Sequence, residues 1–202
     1  MPESNTTRER LIEAAIMMLD EGGESAVRIK TVAAIAHITE PSVYHFFGSR
    51  AGLIEAAQLT RFHRSQNEVI ERFGKAIRDC ATKAEAATSI DTALRAVYDR
   101  SRFFARQMRA EILGGAQSRP ALFDELVKAQ TALLHDLESH IRWAQDRGFM
   151  PVHLDAYAVG MWITSLASAF LIAEMDNTPG VIEAWVEYTK KSVMNLLELH
   201  LD

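Results

Sequence analysis

Apolar residues recur three and four positions apart along almost the whole chain, the spacing of one face of an α-helix, and this predicts an all-α fold. Thr6 followed three residues later by Glu9 is a capping box, which satisfies amides that lack intrahelical partners. Leu11, Ala14, Ala15, Met18 and Leu19 continue that helix, and residues 21–23 (EGG) end it. A second helix is predicted over residues 30–36, with Val32, Ala33 and Ala36 on one face. Thr39 restarts the backbone as the N-cap of a third, very short helix. Proline at 41 is tolerated in its first turn, and Gly48 stops it. Val43, Phe46 and Phe47 are expected to anchor it inward.

Ser49 then caps a helix from about Arg50 toward Phe73. Residues 82–89 (TKAEAATS) are small and polar and read as a connection. The next helix is expected to start near Ser89 or Ile90, with Leu94, Tyr98, Ala105, Met108 and Ile112 inward as far as the glycines at 114 and 115. Ala121 to Arg147 reads as one long helix stopped by Gly148. An uncharged helix follows from Asp155 to about Met175, and the last carries Ile182, Trp185, Val186, Thr189, Val193, Leu196 and Leu197 as a wide apolar stripe. About nine helices are predicted in all.

Composition narrows the class. At 202 residues, with 48% hydrophobic side chains and only 10 glycines and 5 prolines, the chain suits a globular helical protein with a sizeable core. The single cysteine, Cys80, excludes an internal disulfide, and with no charged-then-apolar leader a cytoplasmic protein is expected. Residues 156–173 hold no charge for 18 positions, the length at which a membrane span must be weighed. The run is flanked by acids and contains Gly160, Thr164, Ser165, Ser168 and five alanines, which predicts a helix buried on all sides in protein and no membrane partner.

The net charge of -5 excludes a protein that coats nucleic acid but leaves room for a small basic footprint. Residues 1–55 hold five basic against eight acidic side chains, so any such footprint is local and its salt dependence of modest slope. Arg95, Arg102, Arg106 and Arg109 form a basic stripe suited either to an anionic ligand or, with Asp91 and Asp99 nearby, to a solvated face, which is the expectation. No glycine-rich phosphate loop, Ser-His-Asp set or Cys-x-x-Cys occurs, and His135, Glu138 and His200 lack the paired Glu-x-x-His pattern of a bundle metal site. No catalytic residue, metal or cofactor is therefore expected.

Two short helices joined by a tight turn make a helix-turn-helix, whose second helix enters the major groove. The candidate DNA-binding residues are Arg28, Lys30, Thr39, Glu40, Ser42, Tyr44, His45 and Arg50. Ser42 bonds either base type, Tyr44 and His45 reach phosphates or base edges, Glu40 accepts from cytosine N4, and Arg50 suits a phosphate. So short a helix reads few base pairs, which calls for two copies on a palindromic site. The last two helices offer the homodimer interface, through Gly160, Thr164, Ala167, Ser168 and Leu171 on one and Trp185, Thr189, Val193 and Leu196 on the other, as a four-helix bundle.

Residues 7–55 resemble the DNA-binding domain of the tetracycline-repressor (TetR) family of bacterial regulators. The resemblance rests on TVAAIAHITEPSVYHFFGSRAGLIEAA, residues 31–57. It has an alanine in helix two, an aliphatic and a hydroxyl residue at the turn, then aliphatic-Tyr, an aromatic pair, a small turn and a basic residue before an aliphatic. His37 stands where the family usually has glycine, which predicts a strained or shifted backbone; Arg28 stands where Thr or Ser often caps helix two, and Arg50 where lysine is usual. The resemblance implies a three-helix DNA-binding domain over residues 1–50 and a helical effector-binding and dimerisation domain over 51–202. It also implies a ligand cavity between about residues 60 and 175, for which Phe62, His63, Tyr98, Phe104, Met108, Phe123, Trp143 and Trp162 are the candidate lining. In that reading the protein is a ligand-responsive DNA-binding regulator, a repressor that binds double-stranded operator DNA as a homodimer. A small, largely apolar effector tilts the helix starting near Arg50 and releases the operator. The alternative is an all-helical interaction or small-molecule-binding protein that does not bind DNA.

Overall fold

The first helix of the computed structural model, which describes residues 6–200, is α1 (Thr7–Ala26). Its start is the reciprocal cap expected from the spacing: the Glu9 amide donates to the Thr6 hydroxyl, and the Thr6 amide to the Glu9 carboxylate. Regular helix geometry fails at Gly22 and Gly23, so the glycine pair ends the first run where predicted. α2 (Ile29–Ile35) and α3 (Glu40–Phe47) follow. The close of α2 is a Schellman arrangement, in which the Ile38 amide donates to the Ala33 carbonyl and the His37 amide to that of Ala34. This forces His37 to φ 54, the left-handed strain anticipated from a side chain at a glycine position.

The other helices are α4 (Arg50–Arg78), α5 (Lys83–Tyr98), α6 (Phe103–Ala116), α7 (Pro120–Asp146), α8 (Ala156–Ala173) and α9 (Val181–Leu196), with a 3-10 turn at Arg100–Arg102. Every regular element among the described residues is helical, and the all-α class holds. Two boundaries differ from expectation. The stretch read as a connection is the first half of α5: Thr82 caps it by accepting from the Glu85 amide, and Ala86 and Ala87 are core residues, small because the core there leaves little room. The helix expected to run unbroken to 114 stops at Asp99, whose carboxylate accepts from the Ser101 amide and hydroxyl and so starts a new turn.

The chain divides into two compact units. The first comprises the residues up to Arg64 with Arg119–Glu125; the second comprises Ser65–Ser118 and Leu126 onward. Leu11, Ala15, Val27, Val32, Val43, Leu53 and Ala57 form the first core. Three ion pairs brace that unit, Asp20 with Arg61, Glu13 with Arg64 and Glu24 with Arg119. In the second unit Ile77, Ile90, Leu94, Leu137, Ile141, Phe170, Val193 and Leu197 form the core. Tyr98, Phe170 and Trp185 meet there edge-on or tilted, with ring centroids 4.9 to 5.3 Å apart. Cys80 is buried with its Sγ donating to the Ala76 carbonyl, and burial pushes its thiol up, as suits an inert cysteine.

α8 is not buried on all sides. By length and composition it passes the test for a membrane-crossing helix, with 22% of it buried. One side belongs to the core: Val159 and Phe170 are buried, and a Cβ at Gly160 would lie 3.1 Å from Leu137. The other side is open, with Met161 and Trp162 partly exposed and Ile172 75% exposed. This corrects the expected interface as well. Gly160, Thr189 and Val193 face their own core, and Trp185 packs against it, because the strongest apolar stripe of a helix is drawn first into the subunit interior.

Gly52 is where the start of α4 presses on α3: a Cβ there would lie 2.2 Å from the Phe47 carbonyl oxygen. Gly52→Ala is expected to cost about 1–3 kcal/mol of stability, since backbone must move to admit the methyl. His37→Gly relieves a left-handed side chain and is expected to add up to about 1 kcal/mol. Denaturant titration of the two variants measures both effects, which have opposite signs.

Candidate nucleic-acid interface and internal cavity

An eight-residue helix has too few turns to be stable alone, so α3 depends on what it packs against. Val43 is wholly buried in the first core and Phe47 packs partly against it, with the Arg8 guanidinium 5.4 Å from the Phe47 ring centroid. Phe46 does not join them. It is 41% exposed, because its position on the helix turns it away from the side that carries Val43 and Phe47. Thr39 occupies the N-cap position, but its hydroxyl makes no backbone cap; it lies 2.9 Å from the Ser42 hydroxyl instead. Pro41 near the helix start and Gly48 at φ 71 set the two ends.

The outer side of α3 presents Glu40, Tyr44 and His45, all exposed, with Ser42 half-buried; Tyr44 is 51% exposed. Arg28 stands at the N-cap of α2 without a side-chain cap bond, and Lys30 is exposed in the first turn. Arg50 is also exposed, yet its Nε donates to the Val27 carbonyl at 2.6 Å and its Nη2 to the Glu24 carbonyl. The residue expected to touch phosphate therefore also ties the start of α4 to the α1–α2 connection. Residues 28–50 hold three basic side chains and one acid, so this segment is locally positive. The acids that make residues 1–55 net negative lie largely on α1, and Glu13, Asp20 and Glu24 pair with arginines from beyond that stretch.

Glu24 is the node of this unit. Its two carboxylate oxygens accept from Arg119 at 2.7 and 2.6 Å. Those hydrogen bonds, opposed by burial and helped by the charge of Arg119, the Gln58 amide and the charge of Arg50, hold the carboxyl below its usual range. Nothing in the sequence signals the pair, because its members are 95 positions apart.

The second unit contains a partly open cavity of about 590 Å³, a size suited to a small ligand. α4, α5, α6 and α8 supply most of its wall, and Leu137, Ile141, Val193 and Leu197 complete it. Of the eight residues expected to line a pocket, Tyr98 does. Phe62 is buried in the first unit, Phe123 belongs to that unit and is exposed, His63 and Phe104 are exposed, and Trp162 is on the open side of α8. Trp143 packs against Phe149 under Arg147, and Met108 is half-buried outside the wall. Large aromatic side chains fill space, whereas this cavity exists where alanines, aliphatics and hydroxyls leave it. Thr164, Ala167 and Ser168, expected at a dimer interface, line it too. So do Arg102, Arg106 and Arg109, read from sequence as a solvated stripe; Arg95 alone of that stripe pairs in solvent, with Asp91. Among the described residues no cluster of His, Cys, Asp and Glu suits a metal ion.

Residues 11–57 match the family model described as bacterial regulatory proteins, tetR family. No curated protein matches the chain. Several solved structures share its fold. A protein from Rhodococcus sp. assigned to the TetR-family transcriptional regulators is 19% identical, with 95% of this chain and 98% of that one covered and a TM-score of 0.67. GusR of Salmonella enterica is 19% identical over 98% of both chains, with a TM-score of 0.68. The transcriptional regulator FadR of Bacillus subtilis, solved in complex with stearoyl-CoA, is 17% identical over 93% of this chain and 97% of that one, with a TM-score of 0.60. At these identities the likeness is one of fold.

The depressed Glu24 carboxyl gives a pH signature. A carboxyl held below its unfolded value contributes stability that is complete above the usual carboxylate range and is lost as pH falls through its native value. Glu24→Gln is therefore expected to lower stability most at neutral pH, and the gap from wild type to close under acid. Thermal melts of both proteins from neutral to acidic pH read the gap directly.

Proposed function

We propose that the chain, whose residues 11–57 match the model of bacterial regulatory proteins of the tetR family, is a homodimeric repressor of that kind, released from a palindromic operator by a small molecule. The observation that carries the reading is α3: Val43 fixes its inner side in the first core while Tyr44 and His45 stand free on the outer side of a locally positive segment. Tyr44, His45, Ser42 and Glu40 are the base-edge and phosphate contacts; Thr39, Arg28 and Lys30 meet the backbone of the duplex. Arg50 contributes through the guanidinium nitrogen that its two carbonyl bonds leave over, and through the frame those bonds hold.

Dimerisation uses the open side of α8. Met161, Trp162, Ser165, Ala169 and Ile172 make an apolar, uncharged surface that solvent alone would disfavour, and Tyr188 and Leu196 on α9 extend it. Of the interface residues expected from sequence, Leu196, the exposed Ser168 and the half-buried Leu171 remain candidates. Two such surfaces form an isologous four-helix contact, and a palindromic operator offers such a dimer two half-sites one turn of DNA, roughly 34 Å, apart. The effector occupies the cavity of the second unit, and FadR with its bound stearoyl-CoA is a precedent for a ligand-holding relative. α4 and α7 line that cavity and also contribute residues to the first unit, so an occupant that shifts either helix changes the footing of α3.

A mobility shift with the DNA upstream of the protein's own gene tests the reading. Wild type is expected to bind, with affinity falling as salt rises, and Tyr44→Ala to lose about tenfold or more. Ile172→Asp is expected to convert a sedimenting dimer to monomer and to lose the shift with it. Binding that survives Tyr44→Ala and the paired Arg28→Ala, Lys30→Ala change would refute the assignment of α3 and α2. Repression is read separately, as reduced transcription from that promoter when the protein is added.

A further inference from the structure

Four arginines, Arg72, Arg102, Arg106 and Arg109, contribute to the wall of the second unit's cavity, and no aspartate or glutamate does. In a chain of net charge -5 this is a marked segregation of sign. The rest of the wall is mainly aliphatic, so an arginine charge that faces it and is not already matched by a carboxylate, as Arg72 is by Glu68 and Arg106 by Glu174, acts across a medium less polarisable than water and favours an anion over a neutral or cationic occupant.

The four have different duties, of which that of Arg102 is to donate from Nη2 to the Ser65 carbonyl at 3.5 Å. Arg72 pairs with Glu68 in solvent at 2.7 Å. Arg106 is held from several sides: its Nε donates to Glu174 at 2.9 Å, its Nη1 to the Val97 and Asp99 carbonyls, and its guanidinium lies 4.9 Å from the Phe170 ring centroid. It pins the break between α5 and α6. Arg109 donates from Nη2 to the neutral amide of Gln130 at 3.0 Å, and burial lowers its guanidinium to about 10, a shift that an incoming anion would reverse. Tyr98, 6% exposed, lines the same cavity, and its hydroxyl is buried without a hydrogen-bond partner among the described residues. Buried hydroxyls as a rule have a partner, which makes this one a position for a ligand atom.

Resting on the regulator reading above, we propose that the effector is an amphipathic anion, with a carboxylate-type head received by Arg109, a polar contact to the Tyr98 hydroxyl, and an apolar body lying along Ile90, Leu137, Ile141 and Ile163. A planar carboxylate matches the guanidinium fork, and the aliphatic wall reduces the screening of the pair.

The test compares three straight-chain probes of one length, decanoate, 1-decanol and decylamine, by titration calorimetry on the full-length protein. Decanoate is expected to bind at least about tenfold more tightly than 1-decanol, and decylamine more weakly than either. Arg109→Met is expected to reduce the decanoate preference over 1-decanol to about unity, and measurable binding of 1-decanol to the variant shows that the cavity survives. Tyr98→Phe is expected to weaken decanoate severalfold. The proposal is overturned if the three probes bind alike, if none binds, if decylamine binds best, or if Arg109→Met keeps the preference. Should that variant fail to fold, the ranking of probes on wild type decides alone. DNA binding is measured without probe: a protein that shifts its operator but shows no anion preference removes this proposal and leaves the regulator standing, and one that prefers decanoate but never binds DNA does the reverse.

Discussion

A helix of eight residues cannot hold its own direction, and every functional property of the first unit depends on the contacts that hold α3 for it. Val43 enters the core from inside the helix, the left-handed His37 sets the angle of entry, and the contact of Gly52 with the Phe47 carbonyl fixes the exit. Behind these stands Glu24. It receives Arg119 on its side chain, while Arg50 binds its carbonyl and that of Val27, so one short connection joins α1, α2, α4 and the start of α7. The strain accepted at His37 is tolerable because the Schellman bonds and Ile38 over-determine the turn around it.

α8 illustrates a different constraint. A helix without charge for 18 positions has two ways to avoid water, and its own subunit satisfies one of them. The core takes the side bearing Val159, Gly160 and Phe170, and the cavity takes Thr164 and Ala167. What is left, Met161, Trp162, Ala169 and Ile172, is as apolar as the buried side but has no cover within the subunit. Helical periodicity alone cannot separate these faces, since each repeats at the same interval and each lacks charge.

That ambiguity explains most of what was and was not legible in the sequence. The Thr6–Glu9 cap, the stops at Gly48 and Gly148 and the order of the helices were readable because local chemistry determines them. The turn at His37 was readable for the same reason. The first half of α5 was missed because alanines that look like linker are what a tightly packed pair of helices requires, with Ala86 and Ala87 nearly inaccessible. Phe46 and the presumed pocket aromatics were misplaced because size and apolarity predict burial in general, not the particular neighbour or void. The arginine stripe was misjudged for a longer-range reason. Glu174, which pairs with Arg106 in the interior, lies 68 residues away, and no local pattern announces it.

The placement of charge unites the two units. A chain with more acids than bases can still present positive surfaces if its acids are occupied elsewhere. In the first unit Glu13, Asp20 and Glu24 are paired with Arg64, Arg61 and Arg119, which leaves residues 28–50, with their three bases and one acid, to set the local field around α3. In the second, Asp91 holds Lys190 and Arg95 and Glu174 holds Arg106, so the acids stand outside the cavity wall while arginines remain within it. Pairing of this kind adds little stability at an exposed surface, yet it decides where the uncompensated charge lies. Net charge therefore constrains solubility and says little about ligands; the sign at each site is set by which acids the fold has already engaged.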